Sequence, residues 1–216
     1  MLEIVTSRNA MLYQDALEDM FRLFGRGPDG WTTSGKDRFD TDDALYLLLT
    51  RDDGAVLGAH RLLPTVGPHQ FSEVTPELCD VRGVTRGNTI LELSRSVLDE
   101  TGTDRHAIET ARNRLMVGLF EFCLRAGYDA FTWAIPTDAL YHFLLLGLGI
   151  KPLGVPAEIE GSRFVAVRVR VDREAFEVLR MMLNVPEPQV HYVGAPAGDR
   201  LVLVPPDGLH ASRAAA

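Results

Sequence analysis

Three short charged clusters stand out in this chain. The first, Phe39-Asp40-Thr41-Asp42-Asp43, sets carboxylates just ahead of an apolar run. The second, Arg61-Leu62-Leu63-Pro64-Thr65, ends an apolar run with a guanidinium. The third, Glu92-Leu93-Ser94-Arg95, lies inside a segment that reads as a strand. Carboxylates and arginines pair through bidentate hydrogen bonds, and a partly desolvated carboxylate with a raised pKa can act as a general base near neutrality. Taken singly, an acidic loop is more often simply solvated, and an arginine at a strand end usually reaches for the surface. The third cluster is harder to dismiss, because charges in a central strand are costly unless paired. Side chains alternate along a strand, so Glu92 and Arg95, three apart, point to opposite faces unless a β-bulge lies between them. Without the bulge, Glu92 shares a face with Ser94 and Ser96 as a polar stripe. With it, an acid and a base of opposite charge meet in one site.

The elements that must position these clusters follow from periodicity. Residues 2–6 form a β-like run, with Ser7 or Asn9 able to cap the helix that follows. That helix aligns Tyr13, Leu17, Met20 and Phe24 on one stripe. Gly25, Gly27, Pro28 and Gly30 end it and open a polar loop to about residue 43, long enough to suggest a binding or lid role. Residues 44–50 and 55–63 read as strands joined at Asp52-Asp53-Gly54, a hairpin signal. An irregular stretch spans 64–88 and a strand 89–98. The helix at 107–126 carries Ile108, Ala111, Leu115, Leu119 and Phe122 on one face, with Gly127 as its stop. Strands at 129–135, 151–153 and 163–171 alternate with helices at 137–146 and 174–182. The expectation is an α/β fold: a single mixed, largely antiparallel twisted sheet with helices on both faces. Residues 1–183 form the domain, and 184–216 a Pro- and Gly-rich extension with one short strand at 201–204.

Composition narrows the function. The 216 residues are 46% hydrophobic and 24% charged, with a formal net charge of -8, which argues against non-specific nucleic-acid binding. No run approaches the ~20 apolar residues of a membrane span, and the N-terminus lacks a signal-peptide pattern. A cytoplasmic protein without membrane insertion is expected. Cys79 and Cys123, the only cysteines, and six histidines without HExxH or similar spacing give no metal site.

The order of the pieces says more than any one of them. Trp31, Phe39-Asp40-x-x-Asp43 before a strand, Arg61-Leu62-Leu63-Pro64-Thr65, then Glu92-Leu93-Ser94-Arg95 resembles the N-acyl-L-homoserine lactone (autoinducer) synthase family. Pro136-Thr137 and the strand at 163–171 also fall where that family's elements fall, so the resemblance spans about residues 2–182. It implies a GNAT-like fold and an acyltransferase. Such an enzyme joins S-adenosyl-L-methionine to an acyl group carried by acyl carrier protein or coenzyme A, and releases 5′-methylthioadenosine. Adenosylmethionine is then a substrate, and no cofactor or metal is implied. Carried onto this chain, the resemblance makes Glu92 the general base, with Arg95 and Ser94 beside it. Asp40, Asp43, Arg61 and Trp31 fall around the adenosylmethionine site, and either Arg22 or Arg26 stands for the family's helix arginine. Phe131 and Trp133 are material for an acyl cleft, and Thr132 or Thr137 for a hydrogen bond to an oxidised acyl group. Arg105 and Arg112, with His106 beside them, offer a basic patch for the donor. The chain departs from the family pattern in reaching Trp31 early, in Arg38 where an acid is usual, and in Ser96 where an aromatic residue is usual. Two alternatives stand beside this reading: a GNAT-type N-acyltransferase acting on another amine, and a catalytically degenerate ligand-binding relative.

Overall fold

Strand β2 (Leu45–Thr50) is apolar on both sides and buried along all but its last residue, so it must run through the middle of a sheet covered on both faces. The computed structural model, which describes residues 1–25, 35–159, 161–186 and 190–191, places it there. A turn with Gly54 at φ +88°, a conformation glycine takes without a Cβ penalty, joins β2 to β3 (Val56–Pro64). β1 (Leu2–Val5) pairs antiparallel with β2, and β4 (Ile90–Leu98) antiparallel with β3. β5 (Ala130–Pro136) then joins β4 in parallel. The parallel pairing demands a crossover, and α3 (Arg105–Ala126) supplies it. Asp104 caps the start of α3, accepting from the Ala107 N–H at 3.0 Å, and Gly127 at φ +82° ends it.

The far side of the sheet is built by β8 (Ser162–Arg170), antiparallel to β5, with β6 (Ile150–Pro152) and β7 (Ala157–Ile159) both paired to it. A short strand β9 (Val190–His191) runs parallel to β1 at the opposite edge. One face packs under α3 and α5 (Arg173–Met182), where Leu2, Leu47, Leu91, Leu93, Leu119, Phe131 and Phe176 form the larger core. The approach is close: a Cβ on Gly118 of α3 would collide with Leu2 Cδ2. The other face carries α1 (Gln14–Phe24), whose Met20 and Phe24 bury against Tyr46, Leu48, Ala59, Leu63 and Val97.

The mixed sheet and its helix-covered faces match the sequence expectation. The stretch 64–88 differs from it. There the chain makes a single helical turn α2 (Gln70–Glu73) and a 3₁₀ turn at Pro76–Cys79, elements too short to leave a periodic pattern. The helix expected from residue 137 begins later, as α4 (Leu140–Leu145). The strand expected at 201–204 lies outside the described residues. Cys79 and Cys123 are both buried free thiols, and no described helix is long and apolar enough to cross a membrane.

Candidate active site

A bulge in β4 aims the charged residues. In the β3–β4 ladder Arg61 pairs with Arg95 but Leu62 with Leu93, so Ser94 is one residue too many. Cross-strand partners share a face, as do residues two apart. Arg61 and Leu63 therefore put their partners Arg95 and Glu92 on the same face, the α1 side, although these are three apart in sequence. The Ser94 hydroxyl helps hold the irregularity, accepting from Arg61 Nε at 2.9 Å and donating to the Arg61 carbonyl at 3.4 Å.

Arg61 is fully buried and is the hub of the cluster. Its Nη1 donates to Asp37 Oδ1 at 2.7 Å and to Asp40 Oδ1 at 3.0 Å. Burial opposes its charge, but the two carboxylates outweigh burial and leave its pKa raised. Tyr46 on β2 donates its hydroxyl to Asp40 Oδ1 at 2.8 Å. Its phenol is raised far above the usual range, first by burial and then by the Asp40 charge. Arg95 lies 3.8 Å from Asp37 Oδ2 and 3.7 Å from Asp40 Oδ2, donates to the Gly35 carbonyl at 3.0 Å, and stacks its guanidinium 4.9 Å from the Phe24 ring centre. Burial, then the facing Arg61, lowers its pKa. The Asp37 carboxyl is held below its usual range because the Arg61 hydrogen bond and charge overcome burial. It keeps 22% of its side chain exposed, against 1% for Asp40, so Asp37 is the more accessible of the two acids.

Glu92 lies on the same face with 1% exposure. Its two oxygens accept from the backbone N–H groups of Gln70 at 2.8 Å and Phe71 at 3.0 Å, the opening of α2. Burial raises its pKa to about 7, against the pull of those N–H bonds and of Arg61. A carboxyl poised there, oriented through both oxygens, can take a proton at neutral pH. Thr132 is its register partner on β5, buried, with Oγ1 directed to the Leu91 carbonyl at 3.4 Å. The β4–β5 ladder runs only from Ile90/Ala130 to Leu93/Trp133. Beyond it β4 follows β3 and β5 follows β8, so the two strands part directly beside Glu92.

Glu92, Ser94, Arg95, Asp40 and Arg61 are thus brought together, as the bulge argument requires. Other expected residues are not. Asp43 is exposed and stands outside the network; its place is taken by Asp37, which the sequence reading passed over. The signal was the Asp37-Arg38-Phe39-Asp40 spacing. In that turn Asp40 Oδ2 accepts from the Asp37 N–H at 2.7 Å and Asp37 Oδ1 from the Phe39 N–H at 2.8 Å, so both acids face Arg61. Arg22 points to solvent and pairs with Asp19 at 2.7 Å, because the far side of α1 faces away from the sheet. Arg26 and Trp31 lie outside the described residues. Phe131 is core, edge-on to Phe120 at 5.6 Å on the α3 face, away from the charged cluster. Trp133 is half-buried against Phe143, with ring centres 4.9 Å apart, on the last paired rung before the strands part. Thr137 lies past the end of β5, its N–H bonded to the Arg163 carbonyl at 2.9 Å.

A parallel strand pair that splays beside a buried carboxylate, at the centre of a largely antiparallel sheet, is the frame of a GNAT-like acyltransferase. A solved putative N-acetyltransferase from Lactobacillus plantarum shares that fold, with a TM-score of 0.53 at 13% identity over 79% of this chain and 99% of that one. Within this class the chain belongs to the autoinducer synthase family, whose sequence pattern matches residues 9–179. It is 32% identical over 198 residues to the isovaleryl-homoserine lactone synthase of Bradyrhizobium diazoefficiens, covering 86% of this chain and 87% of that protein. It is 29% identical over 179 residues to an acyl-homoserine-lactone synthase of Agrobacterium fabrum, covering 76% and 83%. The structure of BjaI, a CoA-dependent acyl-homoserine lactone synthase solved with SAM and isopentyl-CoA, superposes with a TM-score of 0.79 at 32% identity, covering 91% of this chain and 94% of that one.

Proposed function

We propose that this chain makes an N-acyl-L-homoserine lactone from S-adenosylmethionine and an acyl-CoA thioester, releasing 5′-methylthioadenosine, with Glu92 as the general base. The observation that carries the reading is the Ser94 bulge, which sets Glu92 and Arg95 on one face with Asp37, Asp40 and Arg61. Two arginines and two aspartates balance, so ionised Glu92 leaves the cluster one negative charge, the complement of a substrate with net charge of one positive. Asp37, the accessible acid, meets the cationic part of that substrate, and Arg95 orients its carboxylate.

Acylation begins when Glu92 takes a proton from the substrate ammonium and the freed amine attacks the thioester carbonyl. The oxyanion needs preorganised donors, and the edge of β4 beyond Leu93, where β5 turns away, offers backbone N–H groups for it. The acyl chain enters the same parting, past Trp133 and Phe143. The C–S bond then breaks to the thiolate. The amide nitrogen ends with one hydrogen where the ammonium had three, so two protons leave it: one returns to the thiolate and the other goes to water. In the second step the substrate carboxylate attacks its own γ-carbon and the electron pair of the breaking bond goes to the sulfonium sulfur. The enzyme's work there is to fold the chain into an attack geometry.

The donor assignment rests on the likeness to CoA-dependent relatives, and on exposed Arg105 and His106 in the first turn of α3 with Arg112 two turns on, a surface suited to phosphates. The test supplies purified protein with adenosylmethionine and either isovaleryl-CoA, other acyl-CoAs or acyl-carrier-protein thioesters, and measures lactone and methylthioadenosine by mass spectrometry. Lactone with matching methylthioadenosine from a CoA thioester is expected. Turnover from carrier protein alone defeats the donor assignment, and thiol release without methylthioadenosine defeats the lactone reading.

A further inference from the structure

Glu92 shares its pocket with a histidine that no part of the reaction above uses. His69 precedes α2, is buried, and places Nδ1 3.0 Å from the Gly67 carbonyl oxygen. That oxygen can only accept, so a hydrogen bond at this distance requires the tautomer with its hydrogen on Nδ1, which leaves a lone pair on Nε2. Nε2 is buried without a hydrogen-bond partner among the described residues and lies 4.0 Å from Glu92 Oε2. Orphaned buried acceptors are rare, and this one is aimed at the group that collects the proton.

We infer that His69 is a positioning residue that acts through Glu92 and receives its proton, which rests on the reading of Glu92 as the base. Glu92 takes the first proton from the substrate nitrogen on Oε2. The resulting O–H faces His69 Nε2 and passes the proton on, leaving an imidazolium whose Nδ1–H stays on Gly67 and a carboxylate ready for the second proton. Closing 4.0 Å to a charge-assisted hydrogen bond needs a shift of only about 1.2 Å. One of the two protons returns from Glu92 to the thiolate, and the imidazolium releases the other to solvent. Among the described charged and titratable groups around the pair, none is placed to take the proton instead. Arg86, donating to the Val66 and Gly67 carbonyls at 3.3 and 3.2 Å, and Arg61 are cations. Glu73 is exposed, and burial, with the Glu92 charge, pushes the Cys79 thiol up to about 11, so it stays protonated. Burial, aided by the Arg86 charge, lowers the pKa of His69 beneath that of Glu92, raised to about 7, so a bare Nε2 is the resting state and the imidazolium only a transient carrier.

The experiment compares wild type with His69→Gln, which can hydrogen-bond but not take up a proton at neutral pH, and His69→Phe. Each is assayed with adenosylmethionine and an acyl-CoA for kcat and KM across neutral pH, with Tm alongside. The expected result is a kcat lowered by about ten- to a hundred-fold in both variants, at or below the foot of the ~10²–10⁴ scale of direct acid–base catalysis because His69 acts through Glu92, with KM for adenosylmethionine unchanged. Wild-type kcat in His69→Gln overturns the inference, as does a lowered kcat that comes with a raised KM and a lowered Tm, as from loosened structure. A second measurement needs no His69 variant: the nitrogen shifts of the His69 imidazole in wild type and Glu92→Gln. A bare Nε2 at neutral pH and a titration midpoint displaced by Glu92→Gln are expected; a protonated Nε2, or an unmoved midpoint, overturns the inference. Lactone synthesis by wild type with His69→Gln unimpaired removes only the relay, whereas a wild type making no lactone removes the base reading itself.

Discussion

Replacing Glu92 with Gln tests the site through stability before any turnover is measured. Burial raises the Glu92 pKa from the usual 4.5 to about 7, so between those values the native state holds a proton that the unfolded chain has lost. An acid raised in this way contributes its stability fully below pH 4.5 and loses it as pH climbs through 7. The rise corresponds to about 3.4 kcal/mol in all, of which about 2.5 kcal/mol falls between pH 5 and pH 8. Glutamine does not titrate. Its amide nitrogen cannot accept from one of the Gln70 and Phe71 N–H groups, a penalty of about 1–3 kcal/mol, but that penalty is the same at every pH. The quantity to follow is therefore the stability difference between variant and wild type, from urea unfolding at several pH values. It should swing toward the variant by about 2.5 kcal/mol from pH 5 to pH 8, or roughly 5–10 °C in Tm for a chain of this size. Over the same window wild-type turnover should rise with a midpoint near 7, and Glu92→Gln should lose about 10²–10⁴ in rate. Stability curves that stay parallel, the difference constant to about 0.5 kcal/mol, refute the idea that Glu92 is held in a desolvated pocket.

Arg61→Met strands the Asp40 carboxylate beneath Tyr46 and should cost about 3–5 kcal/mol by urea unfolding; adding Asp40→Asn should recover part of that loss, as coupled sites do. Asp37→Asn should lower both stability and adenosylmethionine affinity in calorimetry, whereas Asp43→Asn should stay within about 0.5 kcal/mol of wild type. Because Arg61 lowers the Asp37 pKa, the stability Asp37 contributes is present above pH 3.8 and is lost as pH falls through its native value, so the two variants should converge in acid. Gly127→Ala, at φ +82°, should cost about 1 kcal/mol in thermal melts without altering KM.

Much of this frame is readable from residue order because local chemistry and global packing agree. Asp53-Gly54 can form only a tight turn between two apolar strands. The stripe of Ile108, Ala111, Leu115, Leu119 and Phe122 can bury only as a helix, and Gly127 ends it. What escapes is short or depends on distant partners. The turn Gln70–Glu73 has too few residues for a period, yet its first N–H groups orient the Glu92 carboxylate. Asp43 and Asp37 look alike as residues in an acidic loop. Only the turn that curls Asp37 and Asp40 under Arg61 separates the buried pair from the solvated acid. Phe131 and Trp133 differ by two positions on one face of one strand, but the ladder ends at Trp133, which is half-buried where Phe131 is core.

The Glu92–Arg95 spacing was informative for a different reason: it set up a contradiction. A central strand cannot bury an acid on one face and a guanidinium on the other without partners for both. Either the strand is not central or its alternation is broken, and Ser94 breaks it. The fold gains little stability from the result. Two arginines and two aspartates beside Phe24, Tyr46, Leu48 and Leu63 carry a desolvation penalty that apolar residues of similar volume would avoid. The apolar cluster around α1 shows that this face can be packed without charge. A bulge, a buried hub arginine and a carboxyl raised to about 7 together strain three separate preferences of a sheet at one place, and the proposed reaction, on a substrate that is cationic, must lose protons and must be held bent, accounts for all three.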